Sequence, residues 1–177
     1  AKTNPMQNDK YDNIWCCASS WRPHKRLEEN IRFFLEHSSK NDLLIVAGEV
    51  KPLERVDNPR IIYFGNLSQI QLYSLYKASK YFIHLSWLDH CPNVVVDARA
   101  SGCIIICSNA GGTKEIAGED AIIIKEEDWD FSPVELYNPP PLDFTNKTTN
   151  ICKTNYDIAH TAQSYNSFLR YTHDREK

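Results

Sequence analysis

Short apolar runs alternate with segments of helical periodicity along most of this chain. Six runs of five or six residues are nearly continuous in apolar side chains, and they occupy residues 14–18, 43–48, 61–65, 81–85, 103–107 and 121–125. Between several of these runs apolar side chains recur at helical spacing, in the segments 24–39, 68–79 and 92–101. Short, largely apolar strands that alternate with helices predict an α/β class, a three-layer α/β/α domain with a parallel sheet of about six strands.

The predicted helices carry start and stop signals. Ser68 stands where an N-terminal cap accepts a backbone hydrogen bond, Pro92 where the first turn of a helix tolerates proline, and Gly102 where a helix ends. The valines 94–96 are poor helix formers, so the helix 92–101 is expected to form because it is buried against the sheet.

The pattern weakens after residue 125. The stretch 126–150 contains a proline triplet and little periodicity, so it is interpreted as a connector. A last helix is predicted at about residues 155–171, with apolar side chains on one side. Residues 126–177 are therefore expected to be a connector and a C-terminal helix that packs on the domain formed by residues 14–125.

Composition and charge exclude several classes of partner. The chain has 177 residues, 42% of them hydrophobic, which suits one compact domain. Its net charge of −3 and pI near 6.1 point to neither nucleic acid nor an anionic membrane. No apolar run approaches the roughly 18 residues that span a bilayer, so no transmembrane segment is predicted, and the polar first ten residues do not resemble a signal peptide.

The six cysteines are expected to be reduced and mostly buried. Cys103 and Cys107 lie in one strand-like run, where four residues span about 13 Å, too far for a disulfide. Cys16 and Cys17 are adjacent in another run and would face opposite sides of the sheet. Neither pair has metal-ligand spacing, so free thiols in a cytoplasmic protein are the interpretation.

Three loops follow the predicted strands at the sheet edge where ligands of such folds bind. The first, residues 19–27, places Arg22, Lys25 and Arg26 at the entrance of a helix. Backbone N–H groups point outward at a helix N-terminus, and together with these cations they would hold a phosphate. A basic turn exposed to solvent is the alternative interpretation.

The second loop leads into the helix 92–101 and carries two carboxylates. Asp97 lies inside an otherwise apolar helix, where a buried carboxylate is costly without a partner, whereas Asp89 precedes the helix. Two acids at this spacing are either groups that bind one ligand or ordinary solvated charges at the two ends of a helix.

The third loop, residues 108–116, contains a pair of glycines before a helix. Gly111 and Gly112 permit close approach of the backbone to a ligand, with Thr113 or Glu115 available as further contacts. A plain Gly-Gly turn fits this piece of sequence equally well.

Several catalytic motifs are absent from the sequence. It contains no nucleophile elbow, Walker loop or zinc pattern, and the dinucleotide fingerprint G-x-G-x-x-G does not follow the first strand. A nicotinamide or flavin domain is therefore disfavoured. His84 lies inside a strand and is interpreted as a core residue, whereas His24 and His90 lie in the loops at the ligand edge.

Short motifs stand in a fixed order between about residues 14 and 125: Lys25, 47-AG-48, 64-FG-65, 89-DHCPNVVVD-97, 98-ARASG-102 and 111-GGTKE-115. This order resembles the nucleotide-sugar half of the retaining GT-B glycosyltransferases of family 4. That family's pattern is a G-R-x4-K-G loop, strands ending in A-G and F-G, then E-x7-E, A-x-A-S-G and G-G-x-x-E. Both signature glutamates are aspartates here, and the early arginine of the pattern falls on Ser20, with Arg22 close by.

The resemblance implies a Rossmann-like domain, one half of a GT-B fold, that binds a UDP- or GDP-sugar. Asp97 is then expected to accept hydrogen bonds from the ribose hydroxyls, and Asp89 from hydroxyls of the transferred sugar. Lys25 and Arg22 are expected to face the diphosphate, and with Asp89 they are the implied catalytic residues. The further donor contacts implied are Asn93, Val94, Gly48, Gly111, Gly112, Thr113 and Glu115.

The resemblance also implies retaining transfer of a hexose without a metal ion or other cofactor. The acceptor, a saccharide or glycoconjugate, would be held by an N-terminal domain missing from this chain and joined through the linker 1–13. Residues 1–177 alone are therefore expected to be inactive. The alternatives are a GT-B-fold nucleotide-sugar epimerase and a non-catalytic sugar-nucleotide binding module.

Overall fold

One mostly parallel sheet organises the fold of the computed structural model, which describes residues 10–149, 159–160 and 162–167. Its strands are β1 Ile14–Ala18, β2 Leu43–Ala47, β3 Ile61–Gly65, β4 Tyr81–His84, β5 Ile104–Ser108, β6 Ile122–Ile124 and β7 Lys147–Thr149. They lie in the order β3-β2-β1-β4-β5-β6-β7, and only β7 is antiparallel to its neighbour among the described strands. The first six follow the order of doubly wound nucleotide-binding domains, so the predicted α/β class is confirmed.

The helices that connect the strands begin and end close to the predicted signals. They are α1 Leu27–His37, α2 Gln69–Ala78, α3 Asn93–Ala100 and α4 Thr113–Ile116, with 3-10 turns at Pro23–Lys25 and Pro52–Glu54. The Ser68 hydroxyl accepts the Gln71 N–H while the Gln71 side chain accepts the Ser68 N–H, which is a capping box. Pro92 precedes α3, and Gly102 follows it with a φ of +100°.

Successive strand residues are buried on opposite faces of the sheet. Cys16 belongs to a core cluster that also contains Tyr76 of α2 and Ala98 of α3. The next residue towards the N-terminus, Trp15, belongs to a second cluster on the other face, with Phe34 of α1. Because helices or loops cover both faces of the sheet, strand residues that face either side are apolar. The predicted three layers are therefore present.

Residues 126–146, predicted to be a connector, cross the second face of the sheet. Leu142 and Phe144 are buried in the same cluster as Trp15. The Arg32 guanidinium donates to the Leu142 carbonyl at 2.7 Å and lies 4.1 Å from the centre of the Phe144 ring. This segment therefore contributes side chains to the domain core.

Strand β7 extends the sheet beyond the six strands that the sequence predicts. Its residues, 147-KTT-149, have no apolar alternation, so the pattern gives no signal for a strand there. They become a strand because they pair with the open edge of β6, with Ile122 opposite Thr149 and Ile124 opposite Lys147.

The predicted last helix is described only in part. Residues 159–160 and 162–167 are helical and exposed, and the other residues of the segment 155–171 lie outside the described residues, as do residues 1–9 of the expected linker. Packing of this helix on the domain stays a prediction. None of the helices in the described ranges is both long and apolar enough to cross a membrane.

The cysteines in the described residues are free thiols. Four are buried and Cys91 is exposed. The buried ones are Cys16, Cys17, Cys103 and Cys107. Burial raises the pKa of Cys107 to about 12, which keeps that thiol protonated. The expectation that the cysteines are mostly buried is confirmed for these five, and that they are reduced stays a prediction. Cys152 lies outside the described residues.

Candidate functional site

The carboxyl ends of β1, β2 and β3 are joined by close backbone contacts around Gly48. Its N–H donates to the Gly65 carbonyl at 2.7 Å, and the Trp21 indole donates to the Ala47 carbonyl at 3.0 Å. Gly48 has a φ of +100°, and a Cβ there would collide with the Ser19 carbonyl. Gly48, predicted to contact a donor, therefore also allows the loop after β1 to pack on the end of β2.

The glycine loop after β5 packs on the backbone of Asp89. Gly112 N–H donates to the Asp89 carbonyl at 2.9 Å, and the Thr113 hydroxyl donates to the same oxygen at 3.3 Å. A Cβ on Gly111 would lie 2.5 Å from that oxygen, and one on Gly112 would collide with the His90 carbonyl. In this structure, the glycine backbone closely approaches the loop that carries Asp89.

Lys25 and Asp89, which come from different loops, form an ion pair. Lys25 Nζ lies 2.5 Å from Asp89 Oδ2, and His84 Nε2 lies 3.0 Å from the same oxygen. The Lys25 and Asp89 side chains are 20% and 15% exposed, so the pair borders solvent. Burial by itself raises the pKa of Asp89, but the hydrogen bonds from His84 and Lys25 outweigh it and hold that pKa well below its usual range. Asp89 is therefore ionised at neutral pH.

His84 is buried, as expected of a residue in a strand, and it also contacts the candidate site. Burial lowers its pKa, against the opposing effect of the Asp89 carboxylate. A neutral ring with its proton on Nε2 donates to Asp89 and orients the carboxylate. The sequence reasoning missed this contact. The available signal was that His84 is the last residue of β4, where the loops converge.

The N-terminus of α3 presents unpaired backbone N–H groups. Asn93 is exposed and Val94 half-buried, and in the described part of the chain neither N–H group has a hydrogen-bond partner. Val95 and Ala98, both fully buried, fix the helix against the sheet. Unpaired N–H groups at the positive end of a helix dipole form an anion-binding position.

Asp97 lies on the second turn of α3 and is half-buried. Within the described ranges no hydrogen bond or ion pair engages its carboxylate. Burial raises the pKa of Tyr76 on α2, with smaller contributions from Cys16 and from the Asp97 carboxylate. A half-buried carboxylate without a protein partner is suited to accept hydrogen bonds from a ligand.

Arg22 and Glu115 are exposed and are not members of the Lys25–Asp89 ion pair. Arg22 is exposed and lines a cleft of about 1150 Å³ together with Trp21 and Glu49, among other residues. Glu115 is exposed on α4. The Lys25 N–H donates to the Arg22 carbonyl at 2.8 Å, but among the residues that the structure describes no side-chain hydrogen bond or ion pair links Arg22 to Lys25 or Asp89. The structure therefore brings together Lys25, Asp89 and the glycine loop, and leaves Arg22 on the rim of the neighbouring cleft.

Arg26 has a different role from the one expected of a phosphate-binding cation. It is 4% exposed, and its Nη1 and Nη2 atoms donate to the two carboxylate oxygens of Glu126 at 2.8 and 2.7 Å. Nη2 also donates to the Pro140 carbonyl at 2.7 Å. Both terminal nitrogens of the guanidinium donate to these protein partners and the side chain is buried, so the expectation that Arg26 faces a ligand is wrong.

Arg26 also has an uncommon backbone conformation. Its φ of 51° and ψ of 53° are left-handed, at the junction of the 3-10 turn Pro23–Lys25 and α1. This conformation costs a residue other than glycine about 1–2 kcal/mol. The G-R-x4-K-G pattern has glycine directly after the lysine, where glycine adopts it freely. An arginine at that position departs from the pattern, but nothing in the sequence identifies Glu126 as its partner.

Metal-ligating groups do not cluster in this region. Within the described residues, no three or more His, Cys, Asp or Glu side chains are placed to hold a metal ion together. The expectation that ligand binding needs no metal stays a prediction.

The sheet order, the helices on both faces and the converging loops define a Rossmann-like domain of the kind found in GT-B glycosyltransferases. The model of the family described as "Glycosyl transferases group 1" matches residues 3–131 of the chain. The chain therefore belongs to the group 1 glycosyl transferase family. No curated protein sequence matches it.

Three solved structures illustrate the likeness of fold. HepE of Anabaena, solved with UDP-glucose, is 17% identical with a TM-score of 0.56, over 66% of this chain and 36% of HepE. The pneumococcal O-GlcNAc transferase GtfA, solved with UDP and GlcNAc, is 15% identical with a TM-score of 0.56, over 67% and 25% of the two chains. The catalytic domain of starch synthase IV from Arabidopsis thaliana, bound to ADP and acarbose, is 14% identical with a TM-score of 0.53, over 64% and 28%. This chain thus corresponds to only part of each solved chain.

Proposed function

We propose that this chain binds a nucleoside-diphosphate sugar, with UDP or GDP as the nucleotide, as the donor half of a retaining family 4 glycosyltransferase. The observation that carries the proposal is the solvent-bordering Lys25–Asp89 pair at the carboxyl end of the sheet, in a chain of the group 1 family. A cation and a carboxylate side by side match the two parts of such a donor, which are a diphosphate and a sugar rich in hydroxyls.

Lys25 is the cation that meets the diphosphate. Without a ligand its charge is balanced by Asp89. A diphosphate carries more than one negative charge and offers several acceptor oxygens, so Lys25 donates to it on binding. The N–H groups of Asn93 and Val94 supply a second set of donors, and Arg22 supplies a second cation at the end of the same loop as Lys25.

Asp89 is the acceptor for the transferred sugar. When Lys25 turns to the diphosphate, His84 still donates to Asp89 Oδ2 and keeps the carboxylate oriented. No hydrogen bond to Asp89 Oδ1 is present in the part of the chain that the structure describes, so this oxygen accepts from a sugar hydroxyl. Asp97 accepts from the ribose hydroxyls. The glycine loop contributes by holding the backbone of Asp89.

The proposed reaction breaks the bond between the anomeric carbon and the phosphate oxygen. Negative charge develops on the leaving diphosphate, and each preorganised donor that meets it contributes about 3–4 kcal/mol. For retention, the acceptor hydroxyl attacks from the face that the diphosphate leaves, and its proton passes to the leaving phosphate oxygen. In this proposal the acceptor is delivered by a domain outside this chain. In this proposal, residues 1–177 alone bind the donor without a metal ion and transfer no sugar.

A thermal-shift screen tests the proposal. UDP, GDP and their sugars should raise the melting temperature of the wild-type chain, since a ligand at 100 times its Kd adds about 2.7 kcal/mol of stability. The diphosphates should act more strongly than uridine or guanosine, and Lys25→Met should remove that difference. No shift with any of these nucleotides would contradict the proposal. Epimerisation of a UDP-sugar by the longer protein without an acceptor would favour the epimerase alternative instead.

A further inference from the structure

Glu126 lies at the centre of a buried hydrogen-bond network that joins the ends of three strands. Its side chain is 7% exposed, and its carboxylate accepts from the Arg26 guanidinium and from the Ser108 hydroxyl. Its own N–H donates to the Asn109 side-chain oxygen at 2.6 Å. One carboxylate thus connects the loop after β1 with the ends of β5 and β6.

The residues before and after Lys25 are both hydrogen-bonded to the loop after β4, and one of the two, Arg26, belongs to the Glu126 network. On one side, Arg26 Nη1 donates to the Leu85 carbonyl at 3.4 Å. On the other side, the Trp87 N–H donates to the His24 carbonyl at 2.8 Å. Lys25 therefore sits between two anchored residues and faces the loop that also carries Asp89.

The left-handed backbone of Arg26 makes this anchor necessary. A residue other than glycine leaves this conformation unless contacts hold it there. The bonds from the guanidinium to Glu126 and Pro140 supply such contacts, and Asn30 Nδ2, which donates to the Lys25 and Arg26 carbonyls at 3.0 and 2.6 Å, adds to them. If residue 26 returned to negative φ, the chain direction between the 3-10 turn and α1 would change and Lys25 would move away from Asp89.

We propose that Glu126 is a positioning residue that acts through Arg26 to hold Lys25 in place for the diphosphate of the donor. This role rests on the proposed donor function. In this proposal, the buried Glu126 carboxylate contributes to the affinity for the diphosphate although it does not touch the ligand. A glycine at position 26 would make that carboxylate dispensable.

Two double variants isolate the backbone effect. Arg26→Gly/Glu126→Gln and Arg26→Ala/Glu126→Gln both remove the buried ion pair without leaving one charge alone, and they differ by one methyl group. Glycine adopts the left-handed conformation freely and alanine does not. Calorimetry with UDP or GDP, whichever the wild-type chain binds more tightly, should give an affinity close to that of the wild type for the glycine variant, since the bond to the Leu85 carbonyl that both variants lose is long, at 3.4 Å. The alanine variant should bind about fivefold to thirtyfold more weakly, because only part of its population has Lys25 in place.

Two controls connect the effect to Lys25. Affinity for uridine or guanosine, which has no diphosphate, should be equal in both double variants. In a Lys25→Ala background, the difference between the two variants in diphosphate affinity should vanish, as in a double-mutant cycle for residues that act through one another. Glu127→Gln, which makes the same charge change at the exposed neighbouring residue, should bind like the wild type.

The outcomes separate this role from the donor function itself. Equal diphosphate affinities of the two folded double variants would overturn the positioning role alone, and so would a difference that persists without Lys25. Absence of wild-type binding to both UDP and GDP would remove the donor function, and this role with it. If the alanine variant loses its circular dichroism spectrum, Ser108→Ala removes one bond to Glu126, together with the bond from the Ala110 N–H to the Ser108 hydroxyl, and should weaken diphosphate binding in the same direction. Unchanged binding there would overturn the role.

Discussion

Glu126→Gln is expected to destabilise the protein strongly at neutral pH. The substitution removes the carboxylate charge, keeps the size of the side chain and leaves the Arg26 guanidinium, with 2% side-chain exposure, without its counter-ion. Removal of one partner of a buried ion pair typically costs about 3–5 kcal/mol, because the remaining charge cannot reach water. Glutamine still accepts one N–H group and Arg26 keeps its bond to Pro140, so we expect about 3 kcal/mol.

This loss is measurable by thermal and urea unfolding at pH 7. For a chain of this size, 3 kcal/mol corresponds to a fall of about 6–12 °C in melting temperature. The matched control, Glu127→Gln, makes the same charge change at an exposed residue and should stay within about 0.5 kcal/mol of the wild type. Arg26→Gly/Glu126→Gln should be more stable than Glu126→Gln, because no buried charge is left alone and glycine relieves the left-handed backbone. A melting temperature of Glu126→Gln within about 2 °C of the wild type would refute the reasoning.

Three further predictions follow from contacts around the site. The pKa of His84 is lower in the folded state than its unfolded value of about 6.5, so the unfolded chain binds more protons in that window and wild-type stability falls as the pH drops through it. Urea unfolding of His84→Gln should therefore show a smaller loss of stability between pH 7 and pH 5 than the wild type shows. The exposed control His90→Gln should lose as much stability as the wild type. An equal dependence of stability on pH in all three proteins would contradict a buried, neutral His84. Gly111→Ala should destabilise the protein more than Gly102→Ala. Both glycines have positive φ, but a Cβ at Gly111 would lie 2.5 Å from the Asp89 carbonyl, whereas nothing lies within 4 Å of one at Gly102. We expect a loss of about 1–2 kcal/mol from the backbone alone and more at Gly111, and equal losses by thermal unfolding would argue against this packing. Calorimetric affinity for UDP or GDP should be the same with and without EDTA, and an affinity that vanishes on chelation would show that a metal ion takes part.

The strands were predictable because both faces of the sheet are buried. Each of the six runs between residues 14 and 125 is apolar at nearly every position. Such short apolar runs are typical of strands that are buried on both faces of a parallel sheet. β7 was not predictable, because Lys147–Thr149 becomes a strand only by pairing with the edge of β6. Its conformation comes from tertiary contact and not from local pattern.

The candidate site was predictable in its loops but not in its contacts. Lys25 and Asp89 were each singled out by the resemblance, yet nothing in the sequence says that two residues 64 positions apart form an ion pair. Arg26 was grouped with Lys25 because charge and spacing are visible in the sequence, whereas a partner 100 positions away is not. Glu126 lies in the segment interpreted as a connector, where a single buried acid leaves no periodic signal.

The most direct test of the donor-binding account compares free nucleotide with sugar nucleotide on two aspartate variants. By calorimetry, Asp97→Ala should weaken UDP or GDP and the corresponding sugar nucleotide alike, about tenfold or more, because a charge-assisted hydrogen bond to the ribose is lost in both. Asp89→Ala should weaken only the sugar nucleotide, because its contact is with the sugar and Lys25 remains available for the diphosphate. If both variants keep the wild-type circular dichroism spectrum and bind both ligands with wild-type affinity, Asp89 and Asp97 are solvated charges, and the account of how this site holds the ribose and the sugar is wrong.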